Sequence, residues 1–396
     1  MDYQKYLNPI VDAIPPSGIR RFFDVANTIP DVISLGVGEP DFKTQYEVRE
    51  EAIASLVQGK TQYSSNAGLF SLRKEIAYYL KERFALQYKP ESEIIVTIGA
   101  SEAIDLALRA IINYGDEVLI PEPSYVSYSP NVAIVGGKAV AVPTHAQNGF
   151  LLQAEDLAKA ITNRTKALIL PYPNNPTGAV LSQETLDKIA QLAIAHDFII
   201  ISDEIYAELN YSGKPHVACA AHKDLYERTI TINGFSKAFA MTGWRIGYLC
   251  APEALVRNML KIHQYVIMCA PTPSQFAAES ALQIGRKTNY ADVLSMRESY
   301  NHRRRIMVQG FQKMGLPCIE PLGAFYIFPS IAHLGVDSFT FCTELLQKHK
   351  VACVPGTAFG ESGEGFIRCS YATGLEQLNK ALARMAEFVS ALERKL

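Results

Sequence analysis

The sequence predicts an α/β fold, in which a mostly parallel sheet of seven strands is sandwiched by helices and a smaller α+β unit lies beside it. Apolar, β-branched runs recur between residues 94 and 251, and helical patterns separate several of them. After about residue 285 this alternation stops, and longer helical patterns with short apolar runs follow. Buried strands interleaved with helices are typical of a parallel sheet, which binds ligands at the carboxyl ends of its strands.

The elements of the larger unit follow from these patterns in chain order. The predicted strands are residues 94–98, 117–121, 139–142, 166–170, 198–201, 229–232 and 246–251. The predicted helices of this unit are residues 48–58, 71–84, 101–112, 154–161 and 183–195, and a further helix is predicted before it, over residues 19–28.

The smaller unit begins with a long predicted helix over residues 289–314, which carries Arg303, Arg304 and Arg305. Because this triplet lacks basic neighbours, we interpret it as a solvated helix face and not as a nucleic-acid site. The elements predicted after it are helix 339–349, strand 351–354, strand 366–370 and helix 375–392. We therefore predict a large domain over residues 45–285 and a small domain built from residues 1–44 and 286–396.

The composition argues against several classes of partner. A formal net charge of −2, from 38 basic and 40 acidic residues, gives no field that would attract nucleic acid or an anionic membrane. No apolar run approaches the ~20 residues that cross a bilayer, and no secretory signal is expected. The seven cysteines are scattered without a C-x-x-C pair, which indicates reduced thiols and no zinc site. These features predict a cytoplasmic protein.

Polar residues stand at the ends of several predicted strands. Gly99, Ala100 and Ser101 begin a helix, and such a helix start binds anions but also occurs as a simple cap. Asn175 lies in a proline-rich loop, where a turn role and a positioning role are about equally open. Asp203 follows a buried strand, where a carboxylate is costly unless it meets a cation or several donors.

Lys237 follows strand 229–232 among small residues that would let a planar molecule approach the backbone. Taken alone, a solvated turn lysine is the commoner explanation. Together with the anion site, the asparagine and the carboxylate, however, this lysine suits pyridoxal phosphate. That cofactor needs a lysine for covalent attachment, an acidic partner for its ring nitrogen and donors for its phosphate.

The motifs around these residues resemble a known family. Residues 36–42, 174–178, 202–206 and 234–247 recur in this order in the class I aminotransferases of the aspartate and aromatic type, which belong to the fold-type-I group of pyridoxal-phosphate enzymes. The similarity spans about residues 17–388. Details at residues 15–20, 170–173, 263–265 and 323–330 look most similar to the bacterial aminotransferase A subgroup, which is linked to N-acetyl-LL-diaminopimelate in lysine biosynthesis.

The resemblance implies roles for the residues that match the family motifs. Lys237 would attach pyridoxal 5'-phosphate covalently and then carry the substrate proton, and Asp203 would keep the ring nitrogen protonated. Asn175 and Tyr206 would hydrogen-bond the phenolic oxygen, and Tyr125 would stack on the ring. We therefore expect Lys237, Asp203 and Tyr206 to be catalytic.

The phosphate would be held by Ala100, Ser101 and Arg245. One departure concerns this contact, because many relatives have a serine where this chain has Gly234. Ser236 is the candidate that would replace it.

The resemblance also implies a substrate site and a shared dimer. Arg368 would bind the substrate α-carboxylate, and Gly38 would approach the substrate through its backbone. Tyr63 would reach the phosphate bound in a neighbouring subunit, so we expect a homodimer. No arginine for a second substrate carboxylate can be assigned, although Arg20 and Arg21 are candidates.

The expected reaction is a two-step transamination between an amino acid and a 2-oxo acid, with 2-oxoglutarate as the expected acceptor. Lysine, diaminopimelate or aromatic amino-acid metabolism is the expected setting. A β-lyase of the cystathionine-cleaving type is the alternative, because both reactions pass through the same carbanion. A regulatory protein built on the same fold is a third reading, which would require a DNA-binding helix pair before residue 15.

Overall fold

The computed structural model of the chain describes residue 1, residues 3–16 and residues 29–394. The predicted helix over residues 19–28 lies outside the described residues, and so do Arg20 and Arg21. The described strands are β1 (Ile33–Ser34), β2 (Ile94–Thr97), β3 (Glu117–Glu122), β4 (Lys138–Pro143), β5 (Thr165–Leu170), β6 (Ile199–Asp203), β7 (Thr229–Gly234), β8 (Gly247–Cys250), β9 (Tyr326–Ile327), β10 (Val351–Ala352), β11 (Val354–Pro355) and β12 (Ile367–Ser370). The described α-helices are α1 (Pro9–Asp12), α2 (Tyr46–Val57), α3 (Phe70–Phe84), α4 (Gly99–Ile111), α5 (Tyr128–Ile134), α6 (Ala154–Ala160), α7 (Gln183–Ala195), α8 (Glu253–Val266), α9 (Thr272–Thr288), α10 (Ala291–Lys313), α11 (Ser338–His349) and α12 (Leu375–Glu393).

The central sheet contains seven strands in the order β2-β8-β7-β6-β5-β3-β4. Neighbouring strands are parallel except at β8, which runs antiparallel to both β2 and β7. The predicted mostly parallel sheet is confirmed, and each of its predicted strands overlaps an observed one. The six mutually parallel strands β2 to β7 have their carboxyl ends at one edge, and the amino end of the antiparallel β8 lies at that edge too. Loops from all seven strands therefore reach this edge.

Apolar side chains cover both faces of this sheet. Leu168 and Ile169 are adjacent in β5 but belong to opposite hydrophobic clusters, as the two-residue period of a strand requires. Leu168 packs in the cluster that contains Ile189 of α7, and Ile169 packs in the cluster that contains Leu108 of α4. Full burial of each such side chain contributes about 1.5–3 kcal/mol. Because both faces are buried, most of these strands are rich in β-branched and other apolar residues, which made them recognisable in the sequence.

The smaller unit contains two short sheets. Strands β11, β12 and β9 form an antiparallel sheet in that order, whereas β1 pairs in parallel with β10. The single strand predicted over residues 351–354 is therefore wrong, because Cys353 separates two strands that join different sheets. Pro355 suits β11 because this is an edge strand, where a missing N–H breaks no ladder. The domain boundaries at residues 45 and 285 stay a prediction.

The arginine triplet of α10 is not the solvated face that we expected, because Arg303 and Arg304 are both buried. Nη1 of Arg303 donates to both carboxylate oxygens of Asp41, at 2.8 and 2.9 Å. Arg305 alone of the three is exposed, in a pair with Glu298. The Arg303–Asp41 pair ties α10 to residues 36–42, the segment that carries Gly38.

Within the described residues, no helix combines the length and the apolar character needed to cross a bilayer. All seven cysteines lie in the described part of the chain and are free thiols.

Replacing Arg303 with Met should destabilise the fold more than the same change at Arg305. In Arg303→Met the partly buried Asp41 carboxylate loses its cation, which costs about 1–3 kcal/mol of the free energy of unfolding. The exposed pair of Arg305 contributes only about 0–1 kcal/mol. Urea unfolding of both variants measures the difference. Equal unfolding midpoints would show that Asp41 does not depend on Arg303.

Candidate functional site

A cavity of about 550 Å³ opens at the shared edge of the central sheet. Its walls come from the ends of the strands, from the loop between β7 and β8, and from residues 36–39. Every predicted site residue except Tyr63 lines it. These residues are Gly38, Ala100, Ser101, Tyr125, Asn175, Asp203, Tyr206, Ser236, Lys237, Arg245 and Arg368.

Lys237 stands in the turn that follows β7, and its Nζ donates to the carbonyl oxygen of Gly38 at 2.5 Å. Burial of the charged ammonium group lowers the pKa of Lys237 to about 8 from an ordinary value of 10.5. The carboxylate of Glu39 opposes this shift, and the positive charges of Arg368 and Arg245 add to it. The uncharged, nucleophilic amine is therefore accessible at a lower pH than for a solvated lysine.

Asp203 ends β6 and is buried. Its carboxylate accepts hydrogen bonds from the Tyr128 hydroxyl at 2.8 Å and from the backbone N–H of Ile205 at 3.2 Å. Burial raises the pKa of Asp203, and these two hydrogen bonds oppose the rise. Two neutral donors only partly replace the lost water, so the environment favours a cation beside this carboxylate.

Tyr128 is a site residue that the sequence analysis missed. It begins α5, lines the cavity and is fully enclosed by the fold, with its hydroxyl on Asp203. A signal was present, because Tyr128 follows the predicted site residue Tyr125 by three positions, which is about one helical turn. The two rings meet edge to face with centroids 5.6 Å apart.

The first turn of α4 lies beside the guanidinium of Arg245 at the cavity wall. The N-cap residue Ile98 caps none of the first N–H groups of α4, those of Gly99, Ala100 and Ser101, whereas the Glu102 carboxylate accepts from the N–H of Ile98 itself at 2.5 Å. Gly99 has φ of +71°, and a Cβ there would lie 2.6 Å from Nη2 of Arg245, so only glycine allows this approach. A guanidinium at the positive end of a helix dipole is unfavourable by itself. An anion between the two, such as a phosphate, would interact favourably with both.

Gly234 has a structural reason for not being a serine. It pairs with Gly247 across β7 and β8, and a Cβ on Gly234 would lie only 2.9 Å from the Cα of Gly247. A side chain at this position would push the two strands apart. Ser236, which is buried in the cavity wall, is the nearby serine that remains available to a ligand.

Arg368 is buried on β12, and its guanidinium is only partly used. Nη1 donates to Oδ1 of Asn175 at 3.0 Å, and Nη2 donates to the carbonyl oxygen of Gly36. Its Nε has no hydrogen-bond partner within the described residues. Because a guanidinium has five N–H donors, this orientation leaves capacity for a carboxylate in the cavity.

Tyr206 and Tyr326 form a hydroxyl pair at the cavity wall, with their oxygens 2.9 Å apart. Tyr206 was a predicted site residue. Tyr326 lies within the motif at residues 323–330, but the sequence analysis gave its side chain no role. An aromatic residue in a short apolar run looks like an ordinary core residue until its partners are known.

Tyr63 lies outside the cavity, and 80% of its surface is exposed. Its loop is fixed by two hydrogen bonds, from Thr272 Oγ1 to the carbonyl oxygen of Gln62 at 2.7 Å and from Asn66 Nδ2 to the carbonyl oxygen of Met268 at 2.8 Å. The predicted contact of Tyr63 with a phosphate in another subunit stays a prediction.

The amine of Lys237 should react with acetic anhydride with a pH midpoint near 8 in the cofactor-free protein. Only the uncharged amine reacts, and burial lowers the pKa. Competitive labelling across a pH series, followed by mass spectrometry of the lysine peptides, gives the midpoint. The exposed Lys223 is the internal reference. A midpoint for Lys237 at or above the ordinary lysine value of 10.5 would contradict the inferred environment.

Comparison with known proteins agrees with this geometry. The sequence profile of the family "Aminotransferase class I and II" matches residues 30–385. YugH of Bacillus subtilis (strain 168), whose name assigns it to the aminotransferases, is 54% identical over 97% of this chain and 98% of its own. An aspartate aminotransferase of Pyrococcus abyssi is 45% identical, over 98% of both chains. A Bacillus subtilis protein named a probable N-acetyl-LL-diaminopimelate aminotransferase is 44% identical, over 97% of this chain and 95% of its own.

A solved structure agrees as well. The aspartate aminotransferase of Thermus thermophilus with maleate superposes with a TM-score of 0.92 at 39% identity, covering 96% of this chain and 99% of its own. The fold is therefore the fold-type-I arrangement of pyridoxal-phosphate enzymes. These matches do not favour the β-lyase alternative.

The cavity fits the cofactor of this family, pyridoxal 5'-phosphate. It offers a lysine amine of lowered pKa, a buried carboxylate that favours a cation, and a cationic helix end that favours a phosphate. The chain belongs to the class I and II aminotransferases, enzymes that use this cofactor to move an amino group between amino acids and 2-oxo acids.

Proposed function

We propose that the chain catalyses a ping-pong transamination, in which an amino acid first leaves its amine on the enzyme and 2-oxoglutarate then takes that amine away. One observation carries the proposal. The amine of Lys237 and the guanidinium of Arg368 both reach one short segment, since Lys237 donates to the carbonyl oxygen of Gly38 and Arg368 to that of Gly36. An amino acid whose carboxylate is bound by Arg368 would therefore place its α-carbon near the amine of Lys237, which we propose moves the α-proton.

Pyridoxal phosphate, when bound, supplies an electron-withdrawing ring that stabilises negative charge on the substrate α-carbon. The catalytic role that we assign to this chain is proton transfer by Nζ of Lys237. A lysine pKa of about 8 suits this role, because the group can both accept and donate a proton near neutral pH.

A first group of residues around Lys237 would bind the ring of the cofactor. Asp203 would hold the protonated ring nitrogen, since a cation there offsets the cost of the buried carboxylate. Tyr206 and Asn175 would donate to the phenolic oxygen, and the ring of Tyr125 would stack on the cofactor. These contacts would fix the plane of the ring relative to the amine.

The phosphate would be bound by the backbone N–H groups of Ala100 and Ser101 at the uncapped end of α4 and by the guanidinium of Arg245. Ser236 would add the hydroxyl that Gly234 cannot provide. Because two of these phosphate contacts would come from backbone N–H groups, phosphate binding would not depend on flexible side chains alone.

Arg368 would bind the α-carboxylate of both the amino acid and the 2-oxo acid, with Gly38 approaching the substrate through its backbone. A single carboxylate site used in turn by two substrates is the structural basis that we infer for ping-pong kinetics. Since Asn175 already accepts from Nη1, the guanidinium plane is set before the substrate arrives.

The proposed setting is amino-acid metabolism, with diaminopimelate, lysine or aromatic compounds as the candidate donors. Relatives named for aspartate and for N-acetyl-LL-diaminopimelate resemble this chain to similar degrees, at 45% and 44% identity. Apart from Lys237, Arg245 and Arg368, the described lining of the cavity contains no lysine or arginine for a second substrate carboxylate.

We also propose a cytoplasmic homodimer with shared sites. Large apolar side chains are exposed around the loop of Tyr63, and Tyr265, Val266 and Met268 are among them. Exposed apolar side chains of this kind fit contact with a second copy of the chain. The seven free thiols fit a reducing compartment.

Initial rates should give parallel double-reciprocal lines when an amino donor is varied at several fixed concentrations of 2-oxoglutarate. Parallel lines are expected because the first product leaves before the second substrate binds. The donors to compare are N-acetyl-LL-diaminopimelate, aspartate, phenylalanine and tyrosine. Intersecting lines would overturn the ping-pong proposal. Ammonia and pyruvate released from cystathionine without any acceptor would instead indicate a lyase.

Tyr63→Phe should weaken cofactor binding by roughly tenfold or more, because one charge-assisted hydrogen bond to the phosphate is lost. Tyr114→Phe, at another exposed tyrosine, is the matched control and should change nothing. In mixed dimers of Tyr63→Phe with Lys237→Ala, the cofactor concentration that gives half-maximal activity should return to the parent value, since the one site that keeps Lys237 then has the native Tyr63 of its partner. Mixed dimers that form but keep the weakened cofactor affinity of Tyr63→Phe would exclude a shared site.

A further inference from the structure

The hydroxyl of Tyr326 lies where the proposed cofactor side and the proposed substrate side of the cavity meet. It is 2.9 Å from the hydroxyl of Tyr206. On its other side is the backbone of Gly38, where a Cβ would come within 2.1 Å of the Tyr326 oxygen. Gly38 is also the residue whose carbonyl oxygen accepts from Lys237. Tyr326 therefore contacts both a phenol proposed to bind the cofactor and the segment proposed to bind the substrate.

The two hydroxyls can share only one hydrogen bond, and its direction matters. Each tyrosine has one O–H to donate. Within the described residues, Tyr206 is the hydrogen-bond partner of the Tyr326 hydroxyl, and Tyr326 is that of the Tyr206 hydroxyl. If Tyr326 donates to Tyr206, the hydrogen of Tyr206 is free to donate to a ligand. The donated bond also makes Tyr206 a stronger donor, because linked hydrogen bonds polarise one another.

The ring of Tyr326 has a second partner. The guanidinium carbon of Arg368 lies 4.4 Å from the ring centroid, within the range of a cation–π contact. The same guanidinium carbon lies 4.9 Å from the centroid of the Phe359 ring. Tyr326 is almost completely buried, and β9 pairs with β12, the strand that carries Arg368. The same side chain therefore supports the guanidinium with its ring and Tyr206 with its hydroxyl.

We propose that Tyr326 is a positioning residue, which strengthens Tyr206 as a donor toward the cofactor and holds the plane of Arg368 for the substrate carboxylate. The inference rests on the proposed roles of Tyr206 and Arg368. It assigns separate tasks to the two parts of one side chain, so the tasks can be separated by substitution. Tyr326→Phe removes the hydroxyl alone, whereas Tyr326→Leu removes the ring as well.

The first readout is the pH-dependent colour change of the bound cofactor. A hydrogen-bond donor at the phenolic oxygen of the cofactor stabilises the negative charge on that oxygen. The proton that is bound next to this oxygen is then held less tightly, so the midpoint of the titration falls. Tyr326→Phe should therefore raise the midpoint by roughly half a unit to one unit. The double variant Tyr206→Phe/Tyr326→Phe should titrate like Tyr206→Phe alone, because Tyr326 acts through Tyr206.

The second readout is the dissociation constant of 3-phenylpropionate, an unreactive monocarboxylate, measured from its effect on the same absorbance. Tyr326→Phe keeps the ring and should bind it within about twofold of the parent enzyme, whereas Tyr326→Leu should bind it roughly twofold to thirtyfold more weakly. Tyr211→Phe is the control. The hydroxyl of Tyr211 donates to the carbonyl oxygen of Ala324, outside the cavity lining, and its loss should change neither readout.

The outcomes separate this inference from the proposed function. A parent protein that takes up no pyridoxal phosphate would refute the proposed function. If the parent protein titrates normally but the midpoint of Tyr326→Phe is unchanged, the role of Tyr326 is refuted and the proposed function is not. Additive shifts in the double variant would have the same meaning. Should Tyr326→Leu not fold, the Tyr326→Phe titration and the double variant still decide.

Discussion

Three cationic side chains, those of Lys237, Arg245 and Arg368, face one cavity, and the rest of the site depends on how the fold tolerates that concentration of charge. Each is held by a backbone carbonyl oxygen, of Gly38, Thr242 and Gly36 respectively. Burial lowers the pKa of Lys237 and so reduces the charge that it has to carry. The remaining positive charge favours a ligand with two anionic ends. An amino acid linked to a phosphorylated cofactor has this character.

The topology of the sheet brings these groups together. Because β8 is antiparallel to β7, it begins at the edge where β6 and β7 end, so Arg245, two residues before β8, lines the same cavity as Lys237 and Asp203. Arg368 arrives from β12 of the smaller unit. Residues 36–38 contact both Lys237 and Arg368 through backbone carbonyl oxygens. The Arg303–Asp41 ion pair holds the same segment a few residues further along the chain. A helix of the smaller unit therefore supports the backbone that both Lys237 and Arg368 contact.

Much of this arrangement could be predicted from the sequence, because its signals are local. Several strands buried on both faces are largely apolar runs, and the polar residues that follow such a run mark the edge of the sheet, as Ser202 and Asp203 do after residues 198–201. Other features depend on contacts between distant residues. Arg303 looked solvated because its partner, Asp41, is 262 positions away. Tyr128 and Tyr326 had no role assigned from the sequence, because only the folded chain places their hydroxyls on Asp203 and Tyr206. The reason for Gly234 is equally non-local, since it lies in the pairing with Gly247.

The central claim is that Lys237 attaches the cofactor at the point where these charges converge. Its most direct test is borohydride reduction of the protein loaded with pyridoxal phosphate, followed by digestion and mass spectrometry. Our account predicts one modified lysine per chain, on the peptide that contains Lys237, and no modification there in Lys237→Ala. Cofactor mass spread over surface lysines, with the Lys237 peptide unmodified, would contradict it.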